Sequence, residues 1–291
     1  MAVDKVTGPL GPRRAIARTV RELREGRGQL LNEVARDLMM STSKLSRLEN
    51  AQGKPLPRDI RDLIRYFEIE GTPLAARLDR WVKAAQRPGW WTSYDDEVIG
   101  GLDAHLAYEV DAAVARVYTI PFVPVLLQTI DYARAVFRDM ESRPEQEIRQ
   151  LLAVRLRRQE ALRSREGLEP LRLIAVTHES SLHQLVGSPD IMREQLGELL
   201  ERSTAANISL RVLPFTAKPA FSMTCMYALF EYKGIGESDI VHIETHAGFF
   251  SVEDESQVKK YRTYHDALIR ASLSEEESRD LIRKIRDTPR E

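Results

Sequence analysis

The sequence predicts an all-α domain of five helices followed by a larger mixed α/β (α+β) domain, and three observations carry that expectation. The chain has 291 residues, roughly twice the usual ~100–150 residues of one domain. Apolar residues recur at helical spacing through the first ninety positions, whereas short apolar runs between loop signals alternate with helical stretches beyond them. Arg87-Pro88-Gly89-Trp90-Trp91 breaks the pattern between the two parts. Domains are therefore expected at 1–88 and 89–291.

In the first part, Arg14 to Glu25 places Ile16, Val20 and Leu23 on one stripe and ends near Gly26 and Gly28. Leu31 to Leu38 repeats the stripe with Leu31, Val34, Ala35 and Leu38. Met39 and Met40 form a short gap, after which Ser41 stands at an N-cap position ahead of a third helix, Thr42 to Asn50, with Leu45 and Leu48 inward. Lys54-Pro55-Leu56-Pro57 leads into Arg58 to Phe67, and Thr72-Pro73 opens a fifth helix running to about Gln86.

In the second part, Leu102 to Tyr118, Leu127 to Met140 and Pro144 to Arg165 read as helices. Leu171 to Val176 and Ile208 to Leu213 read as strands, with helices at Glu179 to Val186 and Pro189 to Ala206 between them. Three more strand-like segments, Met223 to Tyr232, Ile240 to Glu244 and Gly248 to Val252, precede helices at Glu255 to Ala271 and Ser274 to Arg286.

Composition narrows the function classes. Hydrophobic residues at 43% and charged residues at 30% are ordinary for a globular protein and argue against disorder. Cys225, the single cysteine, cannot form an internal disulfide and no thiol cluster offers a zinc site, so a cytoplasmic compartment is expected. Met1 to Gly11 lacks the apolar core of a secretory segment, and no run approaches the ~20 apolar residues of a membrane span. The net charge of −1 hides an asymmetry: residues 1–70 hold 14 Lys/Arg against 10 Asp/Glu, a balance of +4, which leaves −5 for the remainder. A basic head on an acidic body suits a nucleic-acid reader joined to another function.

The sharpest signal is Leu31 to Asn50, LNEVARDLMMSTSKLSRLEN, two short amphipathic helices across a tight turn, the second thick with small polar and basic side chains. Such a pair can set its second helix in the major groove of DNA, where hydrogen bonds distinguish base edges. The stretch resembles the helix-turn-helix of the XRE, or phage repressor-like, family, in Ala35 and in Ser41-x-Ser43-x-Leu45-Ser46-Arg47-Leu48-Glu49-Asn50. That resemblance implies outward, DNA-facing positions for Thr42, Ser43, Lys44 and Arg47, and a phosphate-facing one for Ser41; Asn50, which closes the motif, is counted with them. Arg47 is the candidate for reading guanine, the alternative being a phosphate contact. Arg13, Arg14, Lys54 and Arg58 flank the pair and are candidates to clamp the DNA backbone, the alternative being solvated charges. The resemblance also implies that Glu49 pairs with Arg24 as a structural brace. Met39 stands at the turn where the family usually has glycine, so a left-handed backbone there is expected to cost roughly 1 kcal/mol. Ala51 replaces another frequent glycine, and Leu30 and Leu31 stand where a capping Ser/Thr and a phosphate-binding Gln are common.

Further on, Val123-Pro124-x-Leu126-Leu127-Gln128-Thr129-x-x-Tyr132-Ala133-Arg134, Arg155-x-x-Arg158-Gln159, Glu179-x-x-Leu182, Val186-Gly187, Gln195-Leu196 and Val212-Leu213-Pro214 resemble the C-terminal domain of unknown function in actinomycete regulators of WhiJ-like type. Regulators of this type resemble repressors or antitoxin-like proteins often encoded beside a small partner protein. The residues themselves offer little catalysis. His242-x-Glu244-x-His246 would share one face of a strand, but without a firm fourth ligand a polar face is the simpler reading, and no metal is expected. Ser180, Ser181 and His183 are too close in sequence to make a triad by spacing, and no phosphate-binding glycine loop is present. Trp90, Trp91 and Tyr94 could line a ligand pocket but more often pack domains together. Arg149, Arg155, Arg157, Arg158, Arg163 and Arg165 could suggest a second nucleic-acid site, but they lie among Glu145, Glu147, Glu160 and Glu166 and read as a solvated helix face braced by acid-base pairs.

The expectation is a sequence-specific DNA-binding transcriptional regulator, a cytoplasmic, nucleoid-associated repressor acting on double-stranded DNA as a homodimer and controlled through its C-terminal domain. The alternative is an antitoxin-like interaction protein that sequesters a small partner protein and autoregulates. No enzymatic activity, cofactor or membrane is expected, and a small-molecule effector is left open.

Overall fold

The computed structural model describes residues 9–52, 54–94, 102–140, 142–165, 168–218, 225–232, 239–245 and 248–288, in two compact units that divide between Thr92 and Ser93. Each unit has its own core. No helix among the described residues is long and apolar enough to cross a membrane.

The first unit consists of helices α1 (Leu10–Gly26), α2 (Leu31–Asp37), α3 (Thr42–Glu49), α4 (Pro57–Tyr66) and α5 (Pro73–Ala85). Ile16 and Val20 of α1, Val34 and Ala35 of α2, Leu45 of α3, Ile60 and Leu63 of α4 and Leu78 of α5 close one core, as their i, i+3, i+4 spacing requires. The ends follow local chemistry. Ser41 Oγ and Thr72 Oγ1 accept the backbone N–H groups of Lys44 and Ala75, each at 3.2 Å, and Pro57 and Pro73 occupy first-turn positions where no N–H is needed. Met39 (φ 50°) and Ala51 (φ 55°) are left-handed without being glycine, and Met39 is 95% exposed, so its side chain repays nothing of the strain. After α5, Trp91 is buried against Trp90 with ring centroids 5.7 Å apart, and a Cβ on Gly89 would meet the Trp91 ring at 2.4 Å.

The second unit is built on a six-stranded mixed sheet of order β3-β2-β1-β4-β5-β6. Its strands are β1 (Val114–Thr119), β2 (Arg172–His178), β3 (Ile208–Leu213), β4 (Tyr227–Glu231), β5 (Ile240–Thr245) and β6 (Gly248–Val252). β1, β2 and β3 pair in parallel, and β1-β4-β5-β6 antiparallel. The helices are α6 (Leu102–Asp111), α7 (Ile130–Ala135), α8 (Glu145–Gln159), the single turn α9 (Ser180–His183), α10 (Pro189–Arg202), α11 (Glu255–Ala271) and α12 (Glu275–Asp287).

Three expectations need correction. Leu102 to Tyr118 is not one helix: α6 stops at Asp111, and Val114-Ala115-Arg116-Val117-Tyr118-Thr119 is the strand β1. This segment, four of whose six residues are β-branched or aromatic, pairs with β2 on one side and β4 on the other, and that distant pairing overrides the local period. Leu127 to Met140 is likewise divided into a 3-10 turn at Val125–Leu127, α7, and a π-helical turn at Val136–Met140. The arginine series is not a uniformly solvated face. Arg158 is buried in an ion pair with Glu109, Arg155 donates to Gln128 and stacks over Phe137, and the Arg165 guanidinium donates to the carbonyl of Ala112 at 2.6 Å.

Many residues of the second resemblance meet in one polar network. Gln195 Nε2 donates to the Leu127 carbonyl at 2.8 Å while its Oε1 accepts the Thr129 N–H at 2.7 Å; Gln159 Nε2 donates to the Gln128 carbonyl at 2.7 Å. Gln128 Nε2 in turn donates to the Val123 carbonyl at 2.9 Å. One buried side chain thus satisfies both a donor and an acceptor of the irregular segment before α7. Gln195→Ala is expected to orphan both and cost about 2–4 kcal/mol in urea unfolding of this unit, and a loss below about 1 kcal/mol would contradict the network's role.

Candidate nucleic-acid interface

The surface worth testing lies on α3 and the turn before it. Helical period turns Leu45 and Glu49 inward, and Ser41, Thr42, Ser43 and Arg47 are exposed. Ser41 spends its side chain on the N-cap, which leaves Thr42, Ser43 and Arg47 as the free polar row. No ion pair or hydrogen bond of the Arg47 guanidinium is present among the described residues. It is an exposed cation on the outward side of α3.

The remaining site residues are placed unevenly. Lys44 is only half-exposed, its Nζ 2.7 Å from Oδ1 of the buried Asp59 on α4. That bond holds the ammonium against α4, and partner and position came from the fold rather than from the helix pattern. Asn50 caps α3: its Nδ2 donates to the Ser46 carbonyl at 2.8 Å, and its Oδ1 accepts Arg21 Nη2 at 2.8 Å. Lys54 and Arg58 are exposed, Arg58 with only a long 3.9 Å approach to Asp62.

Arg13 and Arg14 do not offer their guanidinium groups as flanking clamps would. Arg13 donates to the Ala85 carbonyl at 3.2 Å, and burial lowers its pKa. Arg14 is 8% exposed. α1 starts at Leu10 rather than Arg14, so both residues lie within the helix, where Arg13 reaches the end of α5 and Arg14 is buried. Two exposed arginines that sequence reasoning passed over, Arg36 on α2 and Arg61 on α4, join the basic character of this unit, and only their exposure identifies them.

The interface is held from below. Arg24 Nε and Nη2 donate to the two oxygens of Glu49 at 2.8 Å each, a fork-to-fork pair between α1 and the last turn of α3. Side-chain exposure is 13% for Arg24 and 3% for Glu49. The hydrogen bond from Arg24 to Glu49, against a smaller opposing effect of burial, raises the Arg24 pKa. Arg21, which sequence reasoning did not single out, adds a bond from Nη2 to the Glu49 carbonyl at 2.6 Å. Arg27 donates to the carbonyls of Tyr66 and Phe67, tying α1 to the end of α4. α3 is therefore tied to α1 through Arg21 and Arg24.

The other candidates lie elsewhere. His242 is buried, Glu244 is exposed, and His246 lies outside the described residues. Among the described residues no three His, Cys, Asp or Glu side chains gather as a metal site. His178 Nδ1 accepts the Ser180 N–H at 3.2 Å and lies 2.8 Å from Ser180 Oγ, the local turn that opens α9. Trp90 and Trp91 pack on each other within the first unit, and Tyr94 is half-buried beyond them.

Comparison with known families finds a helix-turn-helix domain over residues 15–78 and a domain of unknown function (DUF5753) over residues 102–284. The first covers α2 and α3 and most of the five helices; the second covers the sheet and the helices around it. Neither the curated proteins nor the solved structures yield a match.

Proposed function

The chain belongs to the DUF5753 family and carries a helix-turn-helix domain ahead of it, and from that premise we propose that it is a sequence-specific DNA-binding regulator of transcription. The observation that carries this reading is the exposed row of Thr42, Ser43 and Arg47 on a helix fixed from below by Arg24 and Glu49. Arg47 reads base edges, since a guanidinium can bond guanine O6 and N7 together; Thr42 and Ser43 contact bases or sugar-phosphate, and Lys54 and Arg58 lie against phosphates. Lys44 positions α3 through Asp59 and touches DNA only at the edge of the footprint.

One recognition helix spans few base pairs, so useful specificity calls for two half-sites and a homodimer. We take the regulator as a repressor of the genes behind such an operator, working at the nucleoid, with the second unit as its control element. Nothing in the reading requires catalysis. The antitoxin-like alternative shares the same DNA-binding helix and differs in what the second unit holds.

The test is genome-wide binding of the wild type beside Arg47→Ala, with tryptophan fluorescence verifying the fold of the first unit. Discrete wild-type peaks with one shared motif are expected, and Arg47→Ala should weaken binding to that motif about 10- to 100-fold in vitro. Retention of every peak by the folded variant, or an absence of enriched sites in the wild type, would overturn the assignment.

A further inference from the structure

The sheet of the second unit is covered on one face by α11, where Tyr118, Leu229 and Val241 pack with Val258 and Leu268. The alternate residues of the same strands point the other way. There the register sets Val117 of β1 opposite Ala228 of β4, and Ala228 opposite His242 of β5, in one row across three strands. Leu102, His105 and Glu109, spaced three and four apart on one side of α6, border this row, and Arg158 of α8 joins them. Together with mainly apolar neighbours these residues line a cleft of about 610 Å³, counting its solvent-open mouth. Apolar walls and a few convergent polar groups are attributes of a small-molecule site.

The polar end decides what kind of molecule fits. Arg158 Nε and Nη2 donate to the two oxygens of Glu109 at 2.9 and 2.8 Å, and both side chains are buried, so the two charges cancel inside the cleft. Burial alone would raise the Glu109 carboxyl, but the charge and hydrogen bonds of Arg158 outweigh it and bring its pKa down to about 2. Arg158 Nη2 also donates to His105 Nε2 at 2.7 Å, so that nitrogen is an acceptor and its ring is neutral. Burial, with the Arg158 charge beside it, lowers the His105 pKa accordingly. His242 is 2% exposed: its Nδ1 lies 3.2 Å from Ser251 Oγ, and its Nε2 is buried without a hydrogen-bond partner among the described residues. Among the described residues, then, every charge in the floor is matched, one imidazole nitrogen is unmatched, and the one unmatched charge of the lining is the exposed carboxylate of Glu244 at the rim. An anion would meet no free cation and would be repelled at the rim, and a cation buried at the floor would find Glu109 already paired, the free carboxylate of Glu244 lying exposed at the rim.

We propose that this cleft binds a small, uncharged, mainly apolar molecule carrying one hydroxyl or amide group, which becomes the hydrogen-bond partner of His242. A hydroxyl suits either tautomer of the ring, because it can donate to Nε2 or accept from it. The proposal concerns the second unit alone and does not rest on the DNA reading; binding is measured without DNA, so either can fail while the other stands.

The test titrates the full chain with three probes of one shape and different charge, namely 2-naphthol, 2-naphthoate and 2-naphthylmethylammonium, followed by calorimetry and amide spectra. The neutral naphthol is expected to bind saturably with a dissociation constant below about 1 mM, an attainable value for an 11-heavy-atom compound at roughly −0.3 to −1.5 kcal/mol per atom. Each charged analogue should bind at least ~10-fold more weakly, as follows from the cost of burying an unpaired charge. His242→Phe, which keeps the ring and removes the nitrogens, should weaken naphthol ~10-fold, and His242→Gln should restore most of the loss. Ala228→Phe, which fills the row, should abolish binding. No saturable naphthol binding, equal or tighter binding of either charged probe, or naphthol binding unchanged in both His242→Phe and Ala228→Phe would overturn the proposal. Should one variant fail to fold, the charge series and the other variant decide.

Discussion

Arg24→Ala is expected to destabilise the first unit by about 3–5 kcal/mol, more than any single change on the exposed face of α3. The reason is where the pair sits. Glu49 is the more deeply buried partner, so removing Arg24 strands a carboxylate in the interior with only the long 3.8 Å approach of Arg21 Nε to compensate it. Glu49→Ala should cost less, because the remaining Arg24 is less enclosed and keeps its bond to the Gln29 carbonyl at 3.0 Å. An apolar pair, Arg24→Met with Glu49→Leu, should recover most of the loss, since it removes both charges together. All three tryptophans, Trp81, Trp90 and Trp91, belong to the first unit, so tryptophan fluorescence in urea reports this unit selectively. Arg24→Ala within about 1 kcal/mol of wild type, or a double variant no better than the single one, would show that the brace is not a stabilising element. DNA affinity should fall in Arg24→Ala in step with the unfolded fraction and recover in the double variant, whereas Arg47→Ala loses affinity while fully folded.

Acidification from pH 7.5 to 5 is expected to cost the second unit at least about 4 kcal/mol through two of its histidines. His242 and His265 are buried and held neutral, their pKa values both pushed down to about 3: for His242 by burial and then by His105 and Arg158, for His265 by burial and then by Arg116. In the unfolded chain both return to about 6.5, so below that pH the unfolded state takes up protons that the folded state refuses. Stability is therefore full above pH 6.5 and falls as pH drops towards 3, each histidine contributing about 2 kcal/mol by pH 5. Glu109 runs on a different window. Its folded pKa of about 2 lies below the unfolded 4.5, so its contribution is intact at pH 5 and is lost only below about 4.5. Native-state hydrogen exchange of the β4 and β5 amides at the two pH values measures the change. His242→Asn and His265→Asn should each remove about 2 kcal/mol of the pH dependence, whatever they do to absolute stability. A loss that begins only below pH 4.5 would assign the acid sensitivity to carboxylates and refute this account.

Much of the first unit was readable residue by residue because its information is local. The stripe of Ile16, Val20, Val34, Ala35 and Leu45, the caps at Ser41 and Thr72, and the prolines that open α4 and α5 each act within one helical turn. The left-handed turn at Met39 is of the same kind, and so is the exposure of Thr42, Ser43 and Arg47, which follows from the period of α3 once Leu45 faces inward. In the second unit β3, β5 and β6 could be located as short apolar runs for the same reason.

Other features depend on partners far along the chain, and there only the tertiary structure decided. Val114 to Thr119 is a strand because β2 and β4 lie on either side of it, not because its own spacing forbids a helix. Lys44 is held back by Asp59, 15 residues away, and Arg13 by a carbonyl 72 residues away. Arg158 looks like one more surface arginine until Glu109, 49 residues earlier, is brought against it, and His242 looks like part of a polar strand face until α6 closes over it. By itself, then, the sequence determined the helices of the first unit, the caps at Ser41 and Thr72 and the polar face of α3, because periodicity and capping act over a few residues. The fold determined which charges are free, which are paired, and that a neutral cleft exists, because burial and ion pairing depend on what distant segments place within a few ångströms.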